Sequence, residues 1–220
     1  MSTQKRISAP KTYNIKRKQG KWVISANPGP HSKKTSIPVG VLLRDLLGIT
    51  RNLKETKKVL SEGKVLVDGK VRKTPKYPIG CMDVVEIPLL KKAYRLIYDN
   101  NGRLMPAETK EKGQKVVKIK SKIVKGKKFQ YTTDDGRTII TDKSYKIGDS
   151  LLIELPSQKV MKHLPFGEGA LSYIVSGKHV GKVAKIKAIE NNQVVLDIEG
   201  KEERTIKDYV CIIPKVMWNE

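Results

Sequence analysis

At Gly63 the hydrophobic pattern of this chain switches from a helical period to a period of two, and no helical period returns in the 157 residues that follow. Only residues 38–62 read as helix. Pro38 opens a stretch with apolar residues at Val39, Leu42, Leu43, Leu46 and Leu47, and Gly48 stops it. Asn52 followed three places later by Glu55 is a capping-box variant that starts a second helix. Leu53, Thr56, Val59 and Leu60 give that helix an inward face, Lys54, Lys57 and Lys58 give it a basic outer one, and Gly63 closes it.

Short strands fill the rest. Lys64 to Val67 and Lys70 to Arg72 flank Asp68-Gly69, a tight-hairpin signal, and Asp83 to Ile87 is a further strand. Tyr94 to Tyr98 precedes the turn Asp99-Asn100-Asn101-Gly102. From Val117 to Ile123, Val117, Ile119, Ser121 and Ile123 share one face while Lys118, Lys120 and Lys122 line the other, which predicts a half-buried sheet with a positive exposed side. Asp134-Asp135-Gly136 turns another hairpin, and Tyr145 to Asp149 before Leu151 to Leu155 echoes the segment from Tyr77 to Ile87. A last unit runs from Leu171 through Val183 to Ile186 and Val194 to Ile198, and ends at Val210 to Ile213. The expected class is α+β or mainly β, with small barrels. The expected division is an extended basic N-terminal arm over 1–37, a small α+β module over 38–92, a central β-barrel over 93–168 and a C-terminal barrel over 169–220.

Charge decides what such a chain can bind. The 45 Lys and Arg against 22 Asp and Glu leave +23, a field whose natural sink is a polyanion, nucleic acid or an anionic membrane surface. No apolar run is long enough to span a membrane and no basic amphipathic helix suits one, so a membrane partner is not expected. No signal peptide is read, and two cysteines, Cys81 and Cys211, make no disulfide framework, which points to a cytoplasmic setting.

The surplus is uneven. Residues 1–40 hold Lys5, Arg6, Lys11, Lys16, Arg17, Lys18, Lys21, Lys33 and Lys34 with no acid, and Tyr13, Trp22 and His31 add flat side chains that can stack on bases. Such a segment buries too little to order itself, so the arm is expected to be extended or disordered alone and to order against RNA, and its removal to leave the remainder folded. The segments 41–90, 91–175 and 176–220 carry net +4, +9 and +1. Beyond the arm, the expected RNA contacts are Arg44, Arg51, Lys54, Lys57, Lys58, Lys64, Lys70, Arg72, Lys118, Lys120, Lys122, Lys178 and Lys182.

Catalytic chemistry is not assembled. Cys81, Cys211, His31, His163 and His179 lie singly, without metal-ligand spacing, so neither metal nor cofactor nor small-molecule substrate is expected. Gly177 to Lys182 has three residues where a phosphate loop needs four, and Val183 replaces the Ser or Thr. Gly102-Arg103-Leu104-Met105 resembles the Gly-Arg-Leu motif of RNA pseudouridine synthases, but Met105 stands where their catalytic aspartate would be, so it is read as a hairpin turn and not as the mark of an RNA-modifying enzyme.

Asn52 to Ile87, with Lys57, Lys58, Gly63 and Asp68-Gly69, resembles the S-four RNA-binding module. Gly177 to Ile198, with Gly181, resembles a KOW motif, an SH3-like barrel found in ribosomal and transcription-elongation proteins; a transcription factor is the alternative this motif alone would allow. The whole chain resembles the S-four-e family of archaeal and eukaryotic small-subunit ribosomal proteins. Carrying that resemblance are Ala9-Pro10-Lys11, Pro28-Gly29-Pro30-His31, Leu43-Arg44-Asp45, Val67 to Arg72, Tyr77 to Val84, Tyr94 to Asp99 and Gly177 to Gly181, in order along the chain. It implies an arm, an S-four module, a central barrel and a KOW barrel. It also implies a non-catalytic protein that is a monomer within the ribosome, bound to small-subunit ribosomal RNA beside neighbouring ribosomal proteins.

Overall fold

A computed structural model describes residues 4–126, 128–198 and 200–214, and the chain divides into two compact units, 1–113 and 114–220. The first and last few residues of the expected arm and C-terminal barrel, 1–3 and 215–220, lie outside the described residues. Strands dominate and helices are few.

In the first unit the order is β1 (Gln4–Lys5), β2 (Trp22–Val23), β3 (Ile37–Pro38), α1 (Val39–Val41), which widens into a π-turn over Leu42–Leu46, and α2 (Leu53–Ser61). β4 (Leu66–Val67), β5 (Lys70–Val71), β6 (Pro78–Ile79), β7 (Val84–Ile87), β8 (Lys92–Tyr98) and β9 (Leu104–Glu108) follow. The widening is a backbone fact, the Leu47 N–H reaching the Leu42 carbonyl at 2.9 Å. α2 begins as its cap predicts: the Asn52 side chain accepts from the Glu55 N–H at 2.9 Å, and the Glu55 carboxylate accepts from the Arg51 N–H at 2.8 Å. Such a cap stabilises by about 1 kcal/mol. Thr56 and Leu60 are fully buried, and Gly63, at φ 73°, ends the helix in the left-handed region that favours glycine.

Asp68 and Gly69 both have positive φ, so the two-residue hairpin joins β4 to β5 as the dipeptide predicts. The sheet order is β5-β4-β7-β8-β9. This corrects the expected break between residues 92 and 93: β8 pairs with β7 from Val84 opposite Arg95 to Ile87 opposite Lys92. The intervening Pro88-Leu89-Leu90 is one tight 3-10 turn with Lys91 at φ 56°, which reverses the chain and keeps both strands in one sheet.

The arm is a second correction. Its described part is folded onto the rest of its unit: β1 pairs with β2, β3 pairs with β6, and Tyr13, Val23, Ile24 and Ser25 are buried. Backbone bonds run from Asn27 N–H to the Lys76 carbonyl and from Leu104 N–H to the Thr12 carbonyl, both 2.9 Å. Glycines let the arm approach closely. A Cβ on Gly40 would sit 2.8 Å from the Ile24 side chain, and one on Gly80 would sit 2.5 Å from the His31 ring. Composition judged the arm by what it could bury within itself, whereas its few apolar side chains use the surface of the neighbouring module.

In the second unit β10 (Gln114–Lys125), β11 (Lys128–Thr133), β12 (Thr138–Thr141), β13 (Ser150–Glu154) and β14 (Val160–Leu164) form a sheet ordered β12-β11-β10-β13-β14. β15 (Leu171–Ile174), β16 (Val183–Glu190), β17 (Gln193–Ile198), β18 (Lys201–Ile206) and β19 (Val210–Ile212) form another, ordered β18-β17-β16-β15-β19. One apolar cluster joins them: Val116, Leu152 and Leu164 pack with Ile174, Ile186, Leu196 and Ile212. Lys115 is buried here as well, donating to Asp135 at 2.8 Å, and Arg137 donates to the same carboxylate at 2.7 Å. Burial alone would raise the Asp135 pKa, but Lys115, Thr133 and Arg137 together hold it below the ordinary value.

The echo between the two units proves structural. Asp83 accepts from the Gly80 N–H at 2.8 Å and pairs with His31 at 3.0 Å. Asp149 likewise accepts from the Lys146 N–H at 3.1 Å and pairs with His163 at 2.7 Å. In each case a buried aspartate closes the turn three residues before it and fixes a histidine from a distant segment.

Gly80→Ala places a methyl group against His31, so it should expose the arm and cost about 1–3 kcal/mol of stability. Trypsin digestion with a thermal melt checks this: the wild-type arm should resist cleavage at Lys33 and Lys34, and the variant should lose it early. An arm cleaved equally fast in both proteins would show that it is not docked.

Candidate nucleic-acid interface

The capped helix α2 turns its polar face outward because Thr56 and Leu60 occupy the buried one. Lys54, Lys57 and Lys58 are exposed on it, and Arg51 is exposed just before its cap. Among the described residues no carboxylate forms an ion pair with any of these four. The single acid within the helix, Glu55, is occupied by the Arg51 backbone N–H, and Glu62 beyond it pairs with Lys64. That pairing lowers the Glu62 pKa. The helix therefore presents four exposed cations against one acid within it, a face of net positive charge.

Other expected contacts have internal work. Asp45 bridges two arginines, accepting from Arg6 of the arm at 2.9 Å and from Arg44 at 2.7 Å. Arg6 also donates to the Lys16 carbonyl at 2.7 Å and is buried. Arg17 donates to the Ile7 and Ala9 carbonyls, both at 2.8 Å, and to the Pro10 carbonyl at 3.2 Å. His31 is held by Asp83. Arg72 lies over the Tyr77 ring at 4.3 Å. Lys5, Lys11, Lys16, Lys18, Lys21, Lys33, Lys34 and Lys70 are exposed. Trp22 is 52% exposed, with the Lys21 ammonium 5.4 Å from its ring centroid, so the arm offers one flat surface beside a cation.

The lysine face of β10 differs from expectation. Opposite β11, Ile119 pairs with Thr133 and Ser121 with Thr132, leaving Lys120 as the extra residue of a bulge. The extra residue reverses which side each later residue faces. Lys118 turns inward and donates to the carbonyls of Lys207, Asp208 and Val210 at 2.9, 3.0 and 2.8 Å. Burial lowers its pKa. Lys122 lies 4.4 Å from the Phe129 ring and donates to Ser144 Oγ at 2.7 Å. Of the three only Lys120 is exposed, while Ile123 and Val124 are exposed where one was expected inside. In the loop between β15 and β16 Lys178 is exposed and Lys182 half-buried, beside a His179–Glu203 pair at 3.3 Å.

Arg103 was missed as a cation for this surface. The Gly-Arg-Leu motif reads as a hairpin turn and not as a catalytic signature, which leaves its arginine without a role, yet the structure puts Arg103 exposed at the end of a hairpin with Lys11 and Arg17 along the same cleft. Among the described residues no group of three or more His, Cys, Asp or Glu could hold a metal ion, and no helix is long and apolar enough to cross a membrane. Burial pushes the Cys211 thiol up to about 12, far from a reactive thiolate.

Lys118→Gln should therefore destabilise the second unit by about 1–3 kcal/mol, because carbonyls lose a charged donor, whereas Lys120→Gln should stay within about 0.5 kcal/mol of wild type. Denaturant unfolding separates them; equal midpoints would contradict the inward placement of Lys118.

The profile of ribosomal family S4e matches residues 90–160, and that of the RS4NT (NUC023) domain matches residues 3–34. Small ribosomal subunit protein eS4 of Archaeoglobus fulgidus is 43% identical over 219 residues, covering 96% of this chain and 93% of that protein. The eS4 protein of Methanocaldococcus jannaschii is 40% identical over 225 residues, covering 95% and 92%. The crystal structure of 30S ribosomal protein S4e from Thermoplasma acidophilum superposes with a TM-score of 0.72 at 34% identity, covering 81% of this chain and 95% of that one.

Proposed function

Since this chain belongs to the S4e family of small-subunit ribosomal proteins, we propose that it clamps folded ribosomal RNA through cations that its own fold leaves unpaired. It is a structural component of the small ribosomal subunit and not an enzyme. The observation that carries the clamp is α2, a rigid, capped helix presenting Arg51, Lys54, Lys57 and Lys58 without a carboxylate to pair them. Cations on a fixed helix face grip phosphates at defined spacing, so the shape of the RNA and not its base sequence sets specificity.

On this reading the module that starts at residue 38 and keeps β8 and β9 in its sheet acts as the S-four RNA-binding module, the sheet β12-β11-β10-β13-β14 as the central barrel and residues 169–220 as the KOW barrel, with 1–37 as the basic arm. The arm works as a docked ridge of exposed lysines around Trp22. Arg6, Arg44, His31, Lys118 and Lys122 serve by holding the scaffold that positions the others. One copy sits in each small subunit of cytoplasmic ribosomes, and the last barrel, with net charge near +1, meets neighbouring ribosomal proteins.

If roughly eight phosphates are neutralised, log affinity for small-subunit ribosomal RNA should fall with log salt at a slope of about −6 to −7. Filter binding over a salt series measures it. A nearly flat dependence would reject the clamp.

A further inference from the structure

We propose that the cleft between the arm and the β8–β9 turn is a second RNA-backbone grip, with Arg103 and Lys11 as its contacting cations; this rests on the RNA-binding reading above and extends it to a site distinct from α2. The cleft has a volume of about 660 Å³ and is lined by Ser8, Ala9, Lys11, Arg17, Asn101 and Arg103. Three of these six are cations and none is an acid. That volume suits a nucleotide-sized group better than a lone ion.

The cations are held ready by different means. Arg17 is fixed by its three carbonyl partners, which leave its positive charge uncompensated. Lys11 and Arg103 are exposed, and among the described residues neither has an ion pair. The bond from the Leu104 N–H to the Thr12 carbonyl lies one residue from each of them and locks the two segments in register. Arg103 has one weak tie, to Asn14 Oδ1 at 3.5 Å. The acid of the same turn, Asp99, accepts from the Asn100 N–H at 2.7 Å and the Asn101 amide at 3.3 Å and does not line the cleft.

Three like charges converging on one hollow repel one another until an anion enters. A guanidinium offers paired donors that match two phosphate oxygens, and a lysine beside it adds a point charge. The anion favoured is the sugar–phosphate backbone of RNA, because the arm that forms one wall continues into the exposed Lys16 and Lys18, with no acid along it to receive a free ion or to match a peptide. The Gly-Arg-Leu motif thus gains a use that does not need the aspartate Met105 replaces.

The test uses the full chain and a transcript of archaeal small-subunit ribosomal RNA, with filter binding over a salt series. Lys11→Gln with Arg103→Gln should melt like wild type, weaken binding about tenfold, and make the salt slope shallower by about 1.4 to 2. Lys159→Gln with Lys162→Gln, an equal loss of charge on exposed lysines in and just before β14, should change neither by a comparable amount. An effect no larger than in that control would overturn the site. So would unchanged RNA affinity in a Lys11/Arg103 variant that had lost binding to inorganic phosphate or to poly-aspartate, which would mark an ion site or a protein contact. Wild-type protein that showed no salt-dependent RNA binding would instead overturn the RNA-binding reading itself.

Discussion

A chain with about two cations for every anion cannot neutralise itself, and which cations it pairs and which it leaves out divides the scaffold from the charged surface. The few carboxylates at critical places are used more than once. Asp45 holds Arg6 and Arg44 together, and Asp135 holds Lys115 and Arg137. Asp83 and Asp149 each secure a turn and a histidine. Breaking such a buried pair leaves a charge without compensation, at a cost of about 3–5 kcal/mol, so these contacts fix the scaffold. What they do not consume stays on the surface as positive field.

Local rules identified the parts of the structure that depend on local chemistry. The Asn52 cap, the Gly63 stop and the Asp68-Gly69 hairpin stand where their residue types place them, and the echo of Tyr77 to Asp83 in Tyr145 to Asp149 marked a shared turn. What escaped depends on partners far along the chain. Lys118 and Lys122 look like an exposed face under strict alternation, but one extra residue at Lys120 reverses the sides beyond it, and Lys118, which precedes it, is covered by the segment 207–210. The arm looks unable to fold because its apolar residues are few, yet Tyr13 and Ile24 find their cover on another module. The break expected between residues 92 and 93 falls within β8, because only the pairing of β7 with β8, a contact across the turn at Pro88-Leu89-Leu90, shows that the sheet continues.

The candidate site was legible in kind and less so in detail. Net charge and its concentration in the first forty residues pointed to a polyanion, and α2 has the outward lysines its period implies. Sequence could not separate an arginine that contacts a ligand from one that staples carbonyls, since Arg17 and Arg103 differ only in what surrounds them. A docked arm also changes the physical picture of binding. The ordering cost of much of that segment is met during folding, so RNA encounters a surface already shaped.

The central claim is that the unpaired cations, and not the total charge, meet RNA. Lysine acetylation footprinting with mass spectrometry tests it directly, comparing the chain alone with the chain bound to small-subunit ribosomal RNA. Lys54, Lys57, Lys58 and Lys11 should react readily when the chain is alone and become protected on binding, while buried Lys115 and the inward Lys118 should react poorly in both states. Protection spread evenly over all exposed lysines, or absent from α2, would contradict the account.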